Sequence, residues 1–114
     1  MCHTDGMVEL HLVIRVSLNK TRSLIDALQA LAKSARAVSG CVAVEIYKAV
    51  GMSNCVCYVE TWESEDVLQK MIASHHFSQL ASLMELSVEP PDCEFRFISE
   101  VHRLDYALQV RGAE

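Results

Sequence analysis

Val8, Leu10, Leu12, Ile14 and Val16 alternate with Glu9, His11, Val13, Arg15 and Ser17. A period of two in which one set is wholly apolar is the pattern of a strand with one face against a core. A strand this one-sided must be covered by another layer, and the next segment of the chain supplies it. Leu24, Leu28, Leu31, Ala35 and Val38 recur at spacings of four and three, one stripe of an amphipathic helix running from about Lys20 to Ser39. Asn19 and Thr21 are both candidate caps at its start, and Gly40 is placed to end it in the left-handed conformation.

Two β-rich runs come next, Cys41 to Ala49 and Asn54 to Trp62, joined by Val50-Gly51-Met52-Ser53. A short glycine-containing connection between such runs reads as a hairpin. Ser64 opens a second helix, with Glu63, Glu65 and Asp66 near the positive end of its dipole. Val67, Leu68, Met71 and Ile72 form its inner face, and Ser74-His75-His76 bends or breaks it before Phe77, Leu80, Ala81 and Met84 resume the pattern. Pro90-Pro91 cannot continue a helix and leads into a last main strand, Cys93 to Arg103. In the tail, Leu104, Tyr106, Leu108 and Val110 alternate with Asp105, Ala107 and Gln109, which predicts a short extra strand packed across a subunit boundary. The order is β-α-β-β-α-β, an α+β chain of ferredoxin-like, split βαβ topology.

A chain of 114 residues holds one core, so residues 1–114 read as a single domain with its core over about 8–103. Net charge is −5, and the ten Lys and Arg are scattered. Nucleic-acid binders present a basic stripe, so neither nucleic acid nor an anionic membrane surface is an expected partner. Met1 to Gly6 lacks a basic region followed by an apolar run, and no apolar stretch reaches bilayer length, so a cytoplasmic location is expected. Cysteines stand at 2, 41, 55, 57 and 93, four of them in strand-like runs. Their spacing is neither a zinc knuckle nor CxxC, which favours free thiols in a reducing compartment and no metal site.

Alternation then assigns the two faces of the sheet. One carries Val8, Leu10, Leu12, Ile14, Val42, Val44, Ile46, Cys55, Cys57, Val59, Phe95, Phe97 and Val101, and is expected under the helices. The other carries His11, Arg15, Glu45, Tyr47, Tyr58, Glu60, Trp62, Arg96, Glu100 and His102. A solvated face accounts for its charges. It accounts less well for Trp62 and the two tyrosines, which an open face gains nothing by displaying. A second copy laid face to face would close a barrel around a mixed polar and aromatic cavity, the kind of site that takes small ligands. A homodimer is therefore expected.

The run Tyr58-Val-Glu-Thr-Trp62-Glu-Ser-Glu-Asp-Val-Leu68, followed by Ser74-His-His-Phe77, resembles the signature region of the antibiotic biosynthesis monooxygenase family, as does Ala35-Arg-Ala-Val-Ser-Gly40-Cys41. The resemblance spans roughly residues 8 to 103. It implies a dimeric α+β barrel with a pocket between sheet and helices. Several members oxidise phenols, quinols or polyketide rings with molecular oxygen and neither metal nor flavin, and others degrade haem. By position, Trp62 matches the family tryptophan ending the third strand, and His76-Phe77 matches the pair common in quinol-oxidising members. Haem-degrading members use an asparagine on the first strand and a histidine on the second helix; here the strand has no Asn and the helix position is Met71. The ring-oxidising polyketide enzyme has asparagine four residues before its tryptophan, where this chain has Tyr58.

Cofactor-free oxygenation of an electron-rich aromatic needs a base for the phenolic proton, donors for the anion and a dry pocket. His76, His11 and His102 are candidate bases, since imidazole titrates near neutrality. Arg15 or Arg96 can hold a phenolate; Trp62 and Tyr58 can stack on a planar ring. Glu60 and Tyr47 join them as expected substrate contacts. Each has a plainer role open to it: Arg15 in cross-strand ion pairs with Glu45 or Glu60, Trp62 in core packing. No nucleophile elbow, P-loop, Rossmann fingerprint or zinc spacing is present. The expectation is an oxygenase of a small aromatic without cofactor, or a non-catalytic dimeric ligand-binding or assembly domain of the same fold.

Overall fold

The computed structural model describes residues 6–112. Cys2 and most of the Met1 to Gly6 segment lie outside them. Strand β1 is Val8–Arg15, and a 3-10 turn, Leu18–Lys20, leads into helix α1, Thr21–Arg36. Strands β2, Cys41–Lys48, and β3, Cys55–Trp62, come next as a hairpin. Then come α2, Glu65–Ile72, and α3, His75–Met84, before β4, Asp92–Phe97, and a terminal helix α4, Leu104–Gly112. The strands form one antiparallel sheet in the order β2-β3-β1-β4, with the helices of the two crossovers packed on one side. This is the ferredoxin-like α+β arrangement that the periodicities predict.

The local signals act where expected. The Ser64 hydroxyl accepts from the Val67 amide at 3.3 Å and caps α2, with Glu65 and Asp66 in the first turn. At the end of α2 the Ser74 amide and hydroxyl both donate to the Met71 carbonyl, which closes that helix and lets α3 begin in a new direction. Gly40 has φ +95°, and a Cβ there would stand 2.7 Å from Val67 Cγ1, so this turn requires glycine on two counts. Val8, Leu10, Leu12 and Ile14 are buried beneath Leu24, Leu28 and Leu80 in one core.

Four expectations are corrected. On β3 the faces are exchanged: Val56, Tyr58, Glu60 and Trp62 are buried on the helix side, while Cys57 and Val59 look the other way. The pairing enforces this, because Leu10 stands opposite Glu60 and Leu12 opposite Tyr58, and partners in register share a face. On β2 the register shifts between Cys41 and Ala43, a bulge that turns Val42 out to 53% exposure. On β4 the phase is right, with Phe95 opposite Leu10 and Phe97 opposite Val8, yet no helix among the described residues buries this edge and Phe97 is 60% exposed. The strand ends at Phe97, short of Arg103, and Val101 lies beyond it and exposed. Lastly, the tail is a helix. Its Leu104/Leu108 and Tyr106/Val110 pairs are spaced i, i+4 and lie on opposite sides of the helix, all exposed.

Candidate functional site: a cavity beside a buried carboxylate

Tyr58, Glu60 and Trp62 are alternate residues of β3 and so stand in a row beneath the helices. Glu60 is fully buried, with Val44 and Leu10 as its neighbours across the two strand pairs. A carboxylate taken out of water among aliphatic side chains must be satisfied by donors. It has three. The Tyr58 hydroxyl donates to Oε2 at 2.5 Å, the Trp62 indole donates to Oε1 at 3.0 Å, and His76 Nε2 lies 2.5 Å from Oε2. The break at Ser74 makes the last contact possible, since it sets His76 in the first turn of α3 facing the middle of β3.

The chemistry of this array comes from its members. Burial first, and then the adjacent Glu60 charge and hydrogen bond, push the Tyr58 phenol far above its ordinary range, so it remains a donor. An ionised carboxylate is acceptor-only, so a neutral imidazole that donates to it through Nε2 presents Nδ1 as its acceptor. Positive charge arising on His76 when it takes a proton falls beside a buried negative group. His76 itself is only part-buried, at 15% side-chain exposure.

Trp62 and His76 both border a cavity of about 370 Å³ between the sheet and the helices. The end of α1 contributes Ser34 and Ala35, and the turn after it Val38. Across from it, α2 contributes Val67, Lys70 and Met71, followed by Ser74. The volume lies at the lower end of the range for small-molecule pockets. A larger hollow of about 530 Å³ at the start of α1 is bordered by Leu18, Thr21, Arg22, Asp26 and Lys48. Arg22 and Asp26 face each other there at 3.8 Å as exposed side chains, and no acid–imidazole pair adjoins it. The 370 Å³ cavity is the candidate site.

The residues singled out in sequence thus divide into three groups. His76, Trp62, Tyr58 and Glu60 come together. His11 and Arg15 lie on the opposite face of the sheet, where His11 Nε2 pairs with Glu9 at 2.7 Å. Tyr47 shares that face, half exposed, its hydroxyl held up in pKa by a hydrogen bond to Glu45. Arg96 is bound to Glu94 at 2.8 Å on β4, and His102 sits outside the sheet, 5.2 Å from the Tyr106 ring and 3.7 Å from Glu100. The grouping of the eight other than His76 on one sheet face is therefore overturned, because the exchanged phase of β3 carries Tyr58, Glu60 and Trp62 to the helix side. Lys70 and Ser74 were missed, although Val67, Lys70, Met71 and Ser74 form an i, i+3, i+4, i+7 stripe that was there to read. Among the described residues no group of three His, Cys, Asp or Glu is placed to hold a metal ion, and no helix is long and apolar enough to cross a membrane.

A four-stranded sheet backed by two crossover helical segments, with a polar cluster enclosed between the layers, defines a ferredoxin-like α+β domain with a cavity beside that cluster. Residues 7–82 match the model of the family described as antibiotic biosynthesis monooxygenase, and the chain belongs to that family. Solved structures share the fold. A conserved protein of unknown function from Bacteroides thetaiotaomicron superposes with a TM-score of 0.74 at 21% identity, covering 83% of this chain and 100% of that one. A Mycobacterium tuberculosis protein gives 0.73 at 18% identity, covering 86% and 100%. A Caulobacter crescentus protein, provisionally named an antibiotic biosynthesis monooxygenase, gives 0.72 at 18%, covering 84% and 92%. Among curated proteins, none matches significantly.

Proposed function

We propose that this protein is a monooxygenase that binds a small phenolic, quinol or polyketide-like aromatic in the 370 Å³ cavity and oxidises it with O2, needing no cofactor. The observation that carries the reading is the His76–Glu60 pair, a base backed by a buried carboxylate at the wall of a mainly apolar cavity. Family membership and the Caulobacter crescentus neighbour support the reaction class.

In this scheme His76 Nδ1 takes the phenolic proton, and the resulting imidazolium faces Glu60. The phenolate passes one electron to O2. The phenoxyl radical and superoxide join in a C–O bond at a ring carbon bearing hydrogen, and the peroxide takes the proton back from His76. Loss of that C–H proton with cleavage of the O–O bond leaves a carbonyl and releases water. The sum is phenol + O2 → quinone + H2O. Trp62 would pack against the ring, while Tyr58 and Trp62 hold Glu60 in place.

The working protein in this reading is a cytoplasmic homodimer. The uncovered Phe95 and Phe97, the two-sided apolar tail helix and the half-apolar open sheet face support self-association. The four described cysteines are all unpaired, which suits a reducing compartment. His11, Arg15, Arg96, Tyr47 and His102 then serve the interface or the surface rather than the cavity.

Oxygen uptake with a panel of hydroquinones and naphthols, under 18O2, tests the reading. Uptake with label in the product carbonyl, lost in His76→Ala, is expected. No uptake by folded protein across the panel would leave a non-catalytic ligand-binding domain in its place.

A further inference from the structure

Trp62, 1% exposed, and His76 border the cavity, and both are hydrogen-bonded to the fully buried Glu60. The cavity wall on α2 is the stripe Val67, Lys70, Met71 and Ser74. Within that stripe Lys70 is the one charged residue, its head exposed while Met71 beside it is buried. A lysine in the last turn of α2 also complements the helix dipole. That role can be filled on any side of the helix, however, and does not call for the side that borders a cavity.

Two further observations point to a ligand group. Among the described residues, Lys70 is the one lysine or arginine bordering the cavity, and no carboxylate lies within ion-pairing distance of it. Glu63 is the one carboxylate bordering the cavity, and it sits beside Gly40, before the cap of α2. Lys70 stands roughly 9 Å further along the helix axis from Ser64. Asp66, one turn before Lys70 on α2, neither pairs with it nor borders the cavity, so Lys70 is open to an incoming anion. The chain as a whole is charged −5, so an acidic ligand would be turned away unless a local cation received it.

We propose that Lys70 is the specificity-determining residue of this cavity, selecting small hydroxylated aromatics that carry a carboxylate over those that do not. The inference rests on the cavity being the site at which the aromatic substrate is oxidised. The phenol lies at the His76 end and the acid at the mouth, held by an ammonium that works as a point charge without demanding a fixed geometry.

Isothermal titration calorimetry of the intact chain with 6-hydroxy-2-naphthoate and 2-naphthol, in low salt and without turnover, tests it. Wild-type protein is expected to bind the acid about three- to fivefold more tightly, as fits one partly screened ion pair. In Lys70→Met that preference is lost while 2-naphthol binds unchanged, and in Lys70→Glu it inverts. Lys33→Met, on α1 away from the cavity, retains it. Equal binding of the two compounds by wild type, or a preference that survives in Lys70→Met, overturns the assignment to Lys70 and leaves the cavity standing as the site. Failure of wild-type protein to bind either compound removes the cavity reading itself and the inference with it.

Discussion

His76 Nε2 meets Glu60 Oε2 at 2.5 Å, joining the first turn of α3 to the middle of β3 across sixteen positions of sequence. Neither residue has another route to the other's vicinity than the helix break at Ser74. Replacing Glu60 by Gln keeps the shape but removes the acceptor-only character, since an amide presents a hydrogen-bearing nitrogen where two donors now converge. We expect Glu60→Gln to lose about 1–3 kcal/mol of stability in urea unfolding followed by circular dichroism. We also expect a fall in oxygen uptake through kcat more than KM, because the carboxylate matters most when His76 is charged.

Tyr58 predicts an alkaline limit. Its folded pKa lies above the ordinary value of 10.0, chiefly through burial and then through Glu60. Above pH 10 the unfolded chain sheds this proton and the folded chain keeps it, so stability falls as pH rises; below pH 10 the contribution is complete. The slope of unfolding free energy against pH above 10 should be shallower in Tyr58→Phe, which itself costs about 1 kcal/mol near neutrality. An unchanged slope would mean that the phenol is not confined among Glu60, Trp62 and His76.

Gly40 allows a substitution test that leaves the polar cluster untouched. Gly40→Ala puts a methyl against Val67 at a positive φ, and should destabilise by about 1–3 kcal/mol. A thermal melt of the variant, compared with that of Gly51→Ala, separates the two causes. Gly51 also has positive φ but open space around it, and should lose less.

The tail helix bears on assembly. Leu104, Tyr106, Leu108 and Val110 are 53–72% exposed, more apolar surface than a nine-residue helix gains by showing to water. Truncation after Arg103 should weaken self-association in sedimentation equilibrium while leaving the circular dichroism of the sheet intact. Dimer affinity that does not change would place the contact elsewhere.

How much of the fold is legible in sequence depends on how sharply each segment separates its two phases. In β1 the odd positions hold Glu9, His11 and Arg15 and the even ones only aliphatics, so one reading is open. In β3 the phases are Cys55, Cys57, Val59 against Val56, Tyr58, Glu60, Trp62, and the glutamate argues for the wrong side. Area is the better guide, since burying Tyr58 and Trp62 removes far more apolar surface than burying two cysteines and a valine. The carboxylate among them is then a sign of a buried polar cluster. The tail misleads for a different reason: alternation over seven residues fits a strand, but the same residues at i, i+4 fit a helix, and among the described residues none buries its apolar side chains to decide. The His76–Glu60 contact is out of reach of sequence, because it depends on the direction α3 takes after Ser74, which periodicity does not encode.

Trp62 is the only tryptophan in the chain, and its indole N–H is bound to Glu60. A single indole fluorophore therefore sits inside the cluster, out of water and in direct contact with the group that orders the rest. Its emission is expected toward the blue in the native protein. It should respond to whatever enters the cavity, moves His76 or alters Glu60, with no background from another tryptophan. Quenching by acrylamide would report how often the cavity opens, and red-edge shifts would report how rigidly the indole is held. The residue that completes the hydrogen bonding of the buried carboxylate is also a built-in optical probe of it.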